Sequence, residues 1–550
     1  MRYTRIQPHK PYRPLFRVQP RLAVFIRYLP VRMSGAELPL AILGTIDLCF
    51  KYGERLMKMC RAFKAAEEEL AERTLRVEAG WMKTEMQLRF MKQVEDLMGK
   101  YHRAVNERTV EVLLAKLKVV VSSLERVVKM PDEADENASV VPKRWKYALF
   151  KESIDGAIEE LEIWQRSADP TWYLILRMAD SQIDRALRYD NSATITSFPS
   201  VLNIRGGLQS EDGQEIPGVF LPARELDNLT TYDIPLCNTR RAERLSSRRG
   251  LQVLLLDRME CPPNMNINAA TKDVRDLARK LRHDDPLTFG LLSCKGVIKQ
   301  VDSSNYNLLV SFTMVFRSPD GLSRPESLRG KLRVDDGEIT LSDKFDIARQ
   351  IARAVSYIHT FGFVHKNIRP ETILTFRQPN TTAPSVFVAG FDKFRKEEGR
   401  TYRRGDDDWE KNLYRHPSRQ SSSPEEEYVM QHDIYSLGVC LLEIGLYESF
   451  VSYDPEGNNP RPSPALRLPP SNSQITEGIA MKDHLVSLAH NQLPRCMGRK
   501  YTEIVNTCLT CLDPNNTSFG DEREFMDKDG ILVGVRYIEK VFSQLNAICV

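Results

Sequence analysis

Few groupings of residues in this 550-residue chain have the types and spacing that chemistry demands. Cys508-Leu509-Thr510-Cys511 is a single C-x-x-C with no second pair and no neighbouring histidine. It suits the apolar face of a helix over Thr502–Leu512 better than a zinc or redox centre. Asp527-Lys528-Asp529-Gly530 opens like a calcium loop, but the flanking spacing and the distal glutamate are missing, so a polar turn is expected. Asp406-Asp407-Asp408 reads as a solvated loop. Arg240, Arg241, Arg244, Arg248 and Arg249 form a basic cluster that could meet an anion, although a solvated linker is the preferred reading. Ser421-Ser422-Ser423-Pro424 could accept phosphate and pair with Arg403, Arg404 or Arg415. The richest set runs from His365-Lys366-Asn367 through Thr372 and on to Gly390-Phe391-Asp392.

The elements that would position these residues fall into two halves. Residues 34–190 read as helical. Leu38–Phe50 is a short, almost wholly apolar helix, followed by a charged helix from Glu54 to Glu78 and a long helical stretch from Trp81 to Lys129. In the last of these, Val110, Leu114, Leu117, Val121, Leu124 and Val128 alternate steps of four and three, the seam of a coiled coil or bundle helix. An acidic break, Pro131–Asn137, precedes another helix pair carrying Leu161–Gln165 and Trp172–Leu176. Ser, Gly, Asp and Asn dominate from about Asn191, as in a linker. Strand-like runs follow at Leu251–Leu256, Phe289–Gln300 and Leu308–Phe316, with a helical pattern at Thr271–Leu281. After Leu341 helices dominate, and Phe345, Ile351, Val355 and Ile358 share one face.

Composition narrows the function classes. Apolar residues make up 42% and charged residues 28%, with a net charge of +4. That near balance offers no basic stripe for nucleic acid. Ten scattered cysteines point to a reducing compartment. No run approaches the roughly 18–20 apolar residues of a spanning helix. Met1–Ala36 holds no Asp or Glu but many arginines, the balance of a transit peptide. Pro8, Pro11, Pro14, Pro20 and Pro30 would break such a helix, so residues 1–33 are read as an extension, with synthesis starting at Met33.

Tyr357–Leu374 resembles a protein-kinase catalytic loop and the helix before it, where the family pattern is H-R-D-L-x-x-x-N. His365, Ile368, Pro370 and Glu371 fit that pattern; Asn367 stands at the catalytic Asp and Thr372 at the metal-binding Asn. Val388-Ala389-Gly390-Phe391-Asp392 falls where D-F-G is expected, with Gly390 in place of the metal-binding Asp. Tyr414-Arg415-His416-Pro417-Ser418 is similar to the end of an activation segment, and Asp433–Val439 matches D-x-W-S-x-G-V. The resemblance implies an α+β, bilobal, protein-kinase-like fold with a small lobe at 236–320 and a large helical lobe at 321–550, joined to the helical half by a linker at 191–235.

It also implies which parts are missing. An amide at Asn367 has no useful basicity, and losing a general base typically costs about 10²–10⁴ in rate. Gly390 has no side chain, and Thr372 is a poor Mg²⁺ ligand. Asp392 sits two positions on, about 6–7 Å away in an extended turn. No glycine-rich loop precedes Leu251–Leu256, and that strand carries no lysine; Asp257 and Arg258 follow it. His365, Phe391 and Asp433 resemble the residues that hold the kinase fold together. The expectation is a pseudokinase with no metal or cofactor and no role for ATP or Mg²⁺; the second reading is a weakly active, atypical Ser/Thr kinase with a rearranged site.

Residues 34–190 resemble the HeLo or HeLo-like domains of fungal cell-death and prion-propagation proteins, on the strength of the apolar first helix, the bundle length and the two tryptophans of the Leu161–Leu176 segment. A helical bundle before a pseudokinase is also similar to the mixed-lineage kinase domain-like executioners. This resemblance implies a cytoplasmic protein that reaches a membrane surface on activation, with Leu40, Ile42, Leu43, Ile46 and Phe50 as the candidate membrane helix; a buried first helix of an ordinary bundle is the competing reading. Expected partners are other proteins through the kinase-like domain and further copies of the chain through the bundle, with no nucleic acid.

Overall fold

A computed structural model describes residues 38–64, 68–127, 155, 164–165, 168–176, 183 and most of 218–548, leaving out 228, 247–249, 263–264, 283–285, 302–308, 335–338, 380–382, 397–407, 421–426, 455–458, 469–477, 517 and 520–530. The extension at 1–33, the acidic break at 131–137, Arg248, Arg249, Arg403, Arg404, Asp406, Asp407, the Ser421–Pro424 stretch and the Asp527–Gly530 turn therefore lie outside the described residues.

Three long helices begin the chain: α1 (Leu38–Lys64), α2 (Glu68–Gln93) and α3 (Lys100–Val127). The boundary expected between an apolar helix ending at Phe50 and a charged one starting at Glu54 does not exist, because α1 runs through both. Gly53 lies inside α1, where a Cβ would fall within the Trp81 ring; the bare backbone lets α2 press its indole onto α1. Trp81 is correspondingly mid-helix, and the real break comes at Val94–Gly99. The α3 seam behaves as its spacing requires, with Val110, Leu114, Leu117 and Val121 buried. No helix among the described residues is long and apolar enough to cross a membrane.

A six-stranded sheet follows, in the order β1-β5-β6-β4-β3-β2. Its strands are β1 (Phe220–Leu221), β2 (Thr230–Asp233), β3 (Arg240–Ser246), β4 (Gly250–Glu260), β5 (Cys294–Val301) and β6 (Leu309–Arg317). The sheet takes in residues that composition alone reads as linker, since β1 pairs in parallel with β5 from well upstream. Helix α4 (Ile267–Lys280) connects β4 to β5 and is capped by Asn266, whose side chain accepts from the Ala269 N–H.

The large lobe starts after β7 (Ser323–Ser327) and a short helix, Leu328–Leu332. Helix α5 (Leu341–Thr360) opens with a capping box between Thr340 and Asp343 and buries Phe345, Ile351, Val355 and Ile358. The strands β8 (Phe363–Val364), β9 (Ile373–Arg377) and β10 (Ser385–Val388) carry the loops of the cleft. Helix α6 (Met430–Leu446) is buried from Met430 to Gly445, its apolar residues in the core and its Asp433 and Glu443 carboxylates buried with their partners. Each wholly buried side chain, such as Leu437 or Leu441, contributes about 1.5–3 kcal/mol relative to exposure. The architecture is thus α+β, with N-terminal helices followed by a bilobal, kinase-like fold.

The two halves touch. Tyr173 lies against Phe289 and Tyr357 with ring centroids 5.5 and 5.6 Å apart, and Trp172 meets Phe90 of α2 at 6.0 Å. Val105 and Leu174 cluster with Val535 and Ile538 from the C-terminal helices. Gly534 leaves room there for Leu174, 3.1 Å from where a Cβ would stand. Arg108 pairs with Glu539 at 2.9 Å, and Arg536 lies over the Tyr101 ring.

Candidate functional site

The cleft is built around Asp433 at the start of α6. Its carboxylate is wholly buried and accepts from the backbone N–H groups of His365 (2.8 Å) and Lys366 (2.9 Å) and from the Tyr428 hydroxyl (2.7 Å), with His359 Nε2 at 3.2 Å. Burial alone would raise this carboxyl, but the hydrogen bond and charge of His359, followed by His365, hold it below the usual value. Four contacts on one carboxylate fix the loop that begins at His365.

His365 is buried, and burial pushes its imidazole below the ordinary value. Its Nε2 lies 2.9 Å from the Ala389 carbonyl, which places the proton there, and its Nδ1 accepts from the Asn367 N–H at 3.3 Å. The ring sits 4.7 Å from that of Phe391. His365, Phe391 and Asp433 therefore meet in one place.

Asn367 has both ends of its amide engaged. Its Nδ2 donates to Asp392 Oδ1 at 2.7 Å, and its Oδ1 accepts from Arg369 Nε at 3.0 Å. Thr372 is buried and donates its hydroxyl to the Asn367 and Arg369 carbonyls, at 2.7 and 2.9 Å. Gly390 adopts φ +76°, and a Cβ there would overlap the Thr372 side chain. The three positions expected to be degenerate are thus adjacent and joined by their own contacts.

Asp257 belongs inside β4, three residues before its end at Glu260, rather than after the strand as expected. Leu255, Asp257 and Met259 alternate onto the buried face toward the main core, whereas Leu254 and Leu256 face a separate cluster. Asp257 Oδ2 accepts the Phe391 N–H at 2.8 Å, so an acidic side chain of the small lobe holds the turn after β10. The carboxyl is pushed up to about 6, first by burial and then by the neighbouring Asp392. Above it, the β2–β3 connection, residues 234–239, contains no glycine. Ile234 and Thr239 are buried, and the Pro235 carbonyl accepts from Ser327 Oγ at 2.8 Å.

Beneath the loop, Arg329 is completely buried and binds Glu371 (3.0 Å), Glu443 (2.6 Å), Ser449 (2.8 Å) and the Tyr414 hydroxyl. The Tyr453 hydroxyl adds a bond to Glu371 at 3.0 Å. Burial acts to raise the Glu371 carboxyl, but Arg329 and Arg369 outweigh it and bring it down to about 2. Glu443 lacks the second arginine, and burial leaves its carboxyl raised.

The other candidate residues lie apart from the cleft. Ile42 and Ile46 are buried in the bundle and Leu43 and Phe50 half-buried, while the Leu40 side chain lies outside the described residues. Cys508 and Cys511 are buried free thiols. Arg240, Arg241 and Arg244 are spent on Asp233, Glu243 and Glu225. Asp408 pairs with Lys411. Among the described residues, no group of three or more His, Cys, Asp or Glu side chains is gathered as a metal site.

Sequence reasoning missed Asp257 and Arg329 as members of the site. Strand alternation signals the first, since a carboxylate between Leu255 and Met259 on an apolar face is out of place. Nothing local signals the second. A family model described as protein tyrosine and serine/threonine kinase matches residues 320–454, the span that holds His365, Asn367, Thr372, Gly390, Phe391 and Asp433. No curated protein matches the chain. A kinase-like domain is present.

Proposed function

We propose that this chain is a signalling pseudokinase, whose kinase-like domain keeps its shape without transferring phosphate and whose helical N-terminal region is the effector. The observation that carries the reading is the Asn367 amide. Phosphoryl transfer needs a carboxylate there to accept the substrate proton and further acidic ligands for Mg²⁺. The amide is neutral, and its two ends are taken by Asp392 and Arg369. Thr372 fills the space beside Gly390, and the Asp257 carboxylate, where a strand lysine would be needed to meet phosphates, is turned onto the Phe391 N–H instead. No bound nucleotide or Mg²⁺ belongs to this reading.

The effector role extends it. The bundle is similar in kind to membrane-acting cell-death domains, and α1 opens with the apolar stretch Leu38–Phe50. The contacts of Tyr173 and Leu174 with the large lobe give the kinase-like domain a means to restrain the helices. In this account the chain is cytoplasmic and partners other proteins through the kinase-like domain. Released helices then assemble with other copies at an anionic membrane. Melting the full chain with and without MgATP tests the nucleotide-handling part: no shift is expected, whereas an ATP-dependent rise abolished by Asp392→Ala would favour the second reading, a weakly active kinase with a rearranged site.

A further inference from the structure

Asp257 is a carboxylate at the junction of the lobes with no charged partner. It is 3% exposed, its Oδ2 takes the Phe391 N–H, the neighbouring Gly390 N–H also favours the charged form, and its Oδ1 is occluded and makes no hydrogen bond of good geometry. The turn that it holds presents a second carboxylate, Asp392, anchored by Asn367 at 2.7 Å. From the β2–β3 connection the nearest titratable group is Cys237, whose thiol burial pushes up to about 11, so it stays neutral. His365, behind Phe391, is pushed toward its neutral form by burial. Among the described residues no lysine, arginine or histidine pairs with Asp257. A buried, unpaired carboxylate is costly, and either a cation or a proton relieves it. No set of metal ligands is gathered here, and an oxygen without exposed surface is reached by a proton without opening the cleft.

We propose that Asp257 is a proton-operated latch between the lobes: protonation of its bare oxygen removes the repulsion against Asp392 and closes the cleft more firmly. Loss of that proton leaves the turn at Gly390-Phe391 held by an acceptor in an unfavourable charged state. The folded carboxyl, at about 6, stands above its ordinary value of 3.8, so the folded chain binds more protons than the unfolded chain in between. The fold that holds the lobes together therefore gains stability as pH falls through 6 and gains nothing more below 3.8. The latch does not depend on whether the site is catalytic.

The test follows the unfolding midpoint of the full chain from pH 8 to pH 5, together with hydrogen exchange at the Phe391 amide corrected for its intrinsic rate. Wild type should gain stability and Phe391 protection as pH falls through 6, relative to Asp257→Asn. Asp257→Asn keeps an acceptor for Phe391 and should melt higher than wild type at pH 8. Asp392→Asn should move the wild-type inflection to lower pH. Parallel pH profiles for wild type and Asp257→Asn would overturn the latch. Should Asp257→Asn fail to fold, an inflection unmoved by Asp392→Asn would overturn it equally.

Discussion

The side chain of Thr372 fills the space into which a β-carbon on Gly390 would project, and Gly390 holds a φ of +76° that other residues adopt only with strain. A side chain at position 390 is therefore excluded twice, by its neighbour and by its own backbone.

Gly390→Ala should cost about 1–3 kcal/mol in urea unfolding, the usual size of an over-packed core site. Thr372→Ser removes the methyl and keeps the hydroxyl, so in the Gly390→Ala background it should return part of that loss. Strictly additive effects would contradict the contact.

Restoring an acid at the loop should not restore order. Asn367→Asp replaces a donor to Asp392 with a second carboxylate, so stability at pH 7 should fall by about 1–3 kcal/mol. The loss should shrink as pH falls and one of the pair takes a proton. Equal losses at pH 7 and pH 5 would contradict this.

Arg329→Met should cost about 3–5 kcal/mol, because it strands Glu443 without a cation and leaves Glu371 with Arg369 alone. The sign of the acid response follows from Glu371, whose carboxyl is lowered from 4.5 to about 2. Its stabilisation is complete above 4.5 and is lost as pH falls toward 2, so wild type should lose stability over that window and Arg329→Met should lose less.

At the contact between the halves, apolar burial should outweigh charge. Leu174→Asp sets a carboxylate against Val105, Val535 and Ile538 and should expose the helical region to limited proteolysis. Arg108→Ala breaks a pair whose arginine is largely exposed and should cost less than about 1 kcal/mol. If the helices are a restrained effector, Leu174→Asp should also release more dye from anionic liposomes than wild type. Equal leakage would separate the docking contact from any membrane role.

Much of this site is legible in the sequence because its parts are local. The loop from His365 to Thr372 and the Asp433 helix each carry their pattern within a few residues, and the apolar face of α5 follows from spacing alone. What the sequence hides is contact at a distance. Arg329 reaches Glu371 and Glu443 across 42 and 114 positions. Asp257 acts through a turn 134 positions away. The need for a glycine at position 53 comes from Trp81 of α2, which no reading of α1 by itself contains.

Incubating the purified full chain with radiolabelled ATP, Mg²⁺ or Mn²⁺ and a mixture of protein acceptors tests the account most directly. No phosphate should appear on any acceptor or on the chain itself above a boiled control. Incorporation that persists in Asn367→Ala and disappears in Asp392→Ala would contradict it, because a working site would then exist around the neutral residues.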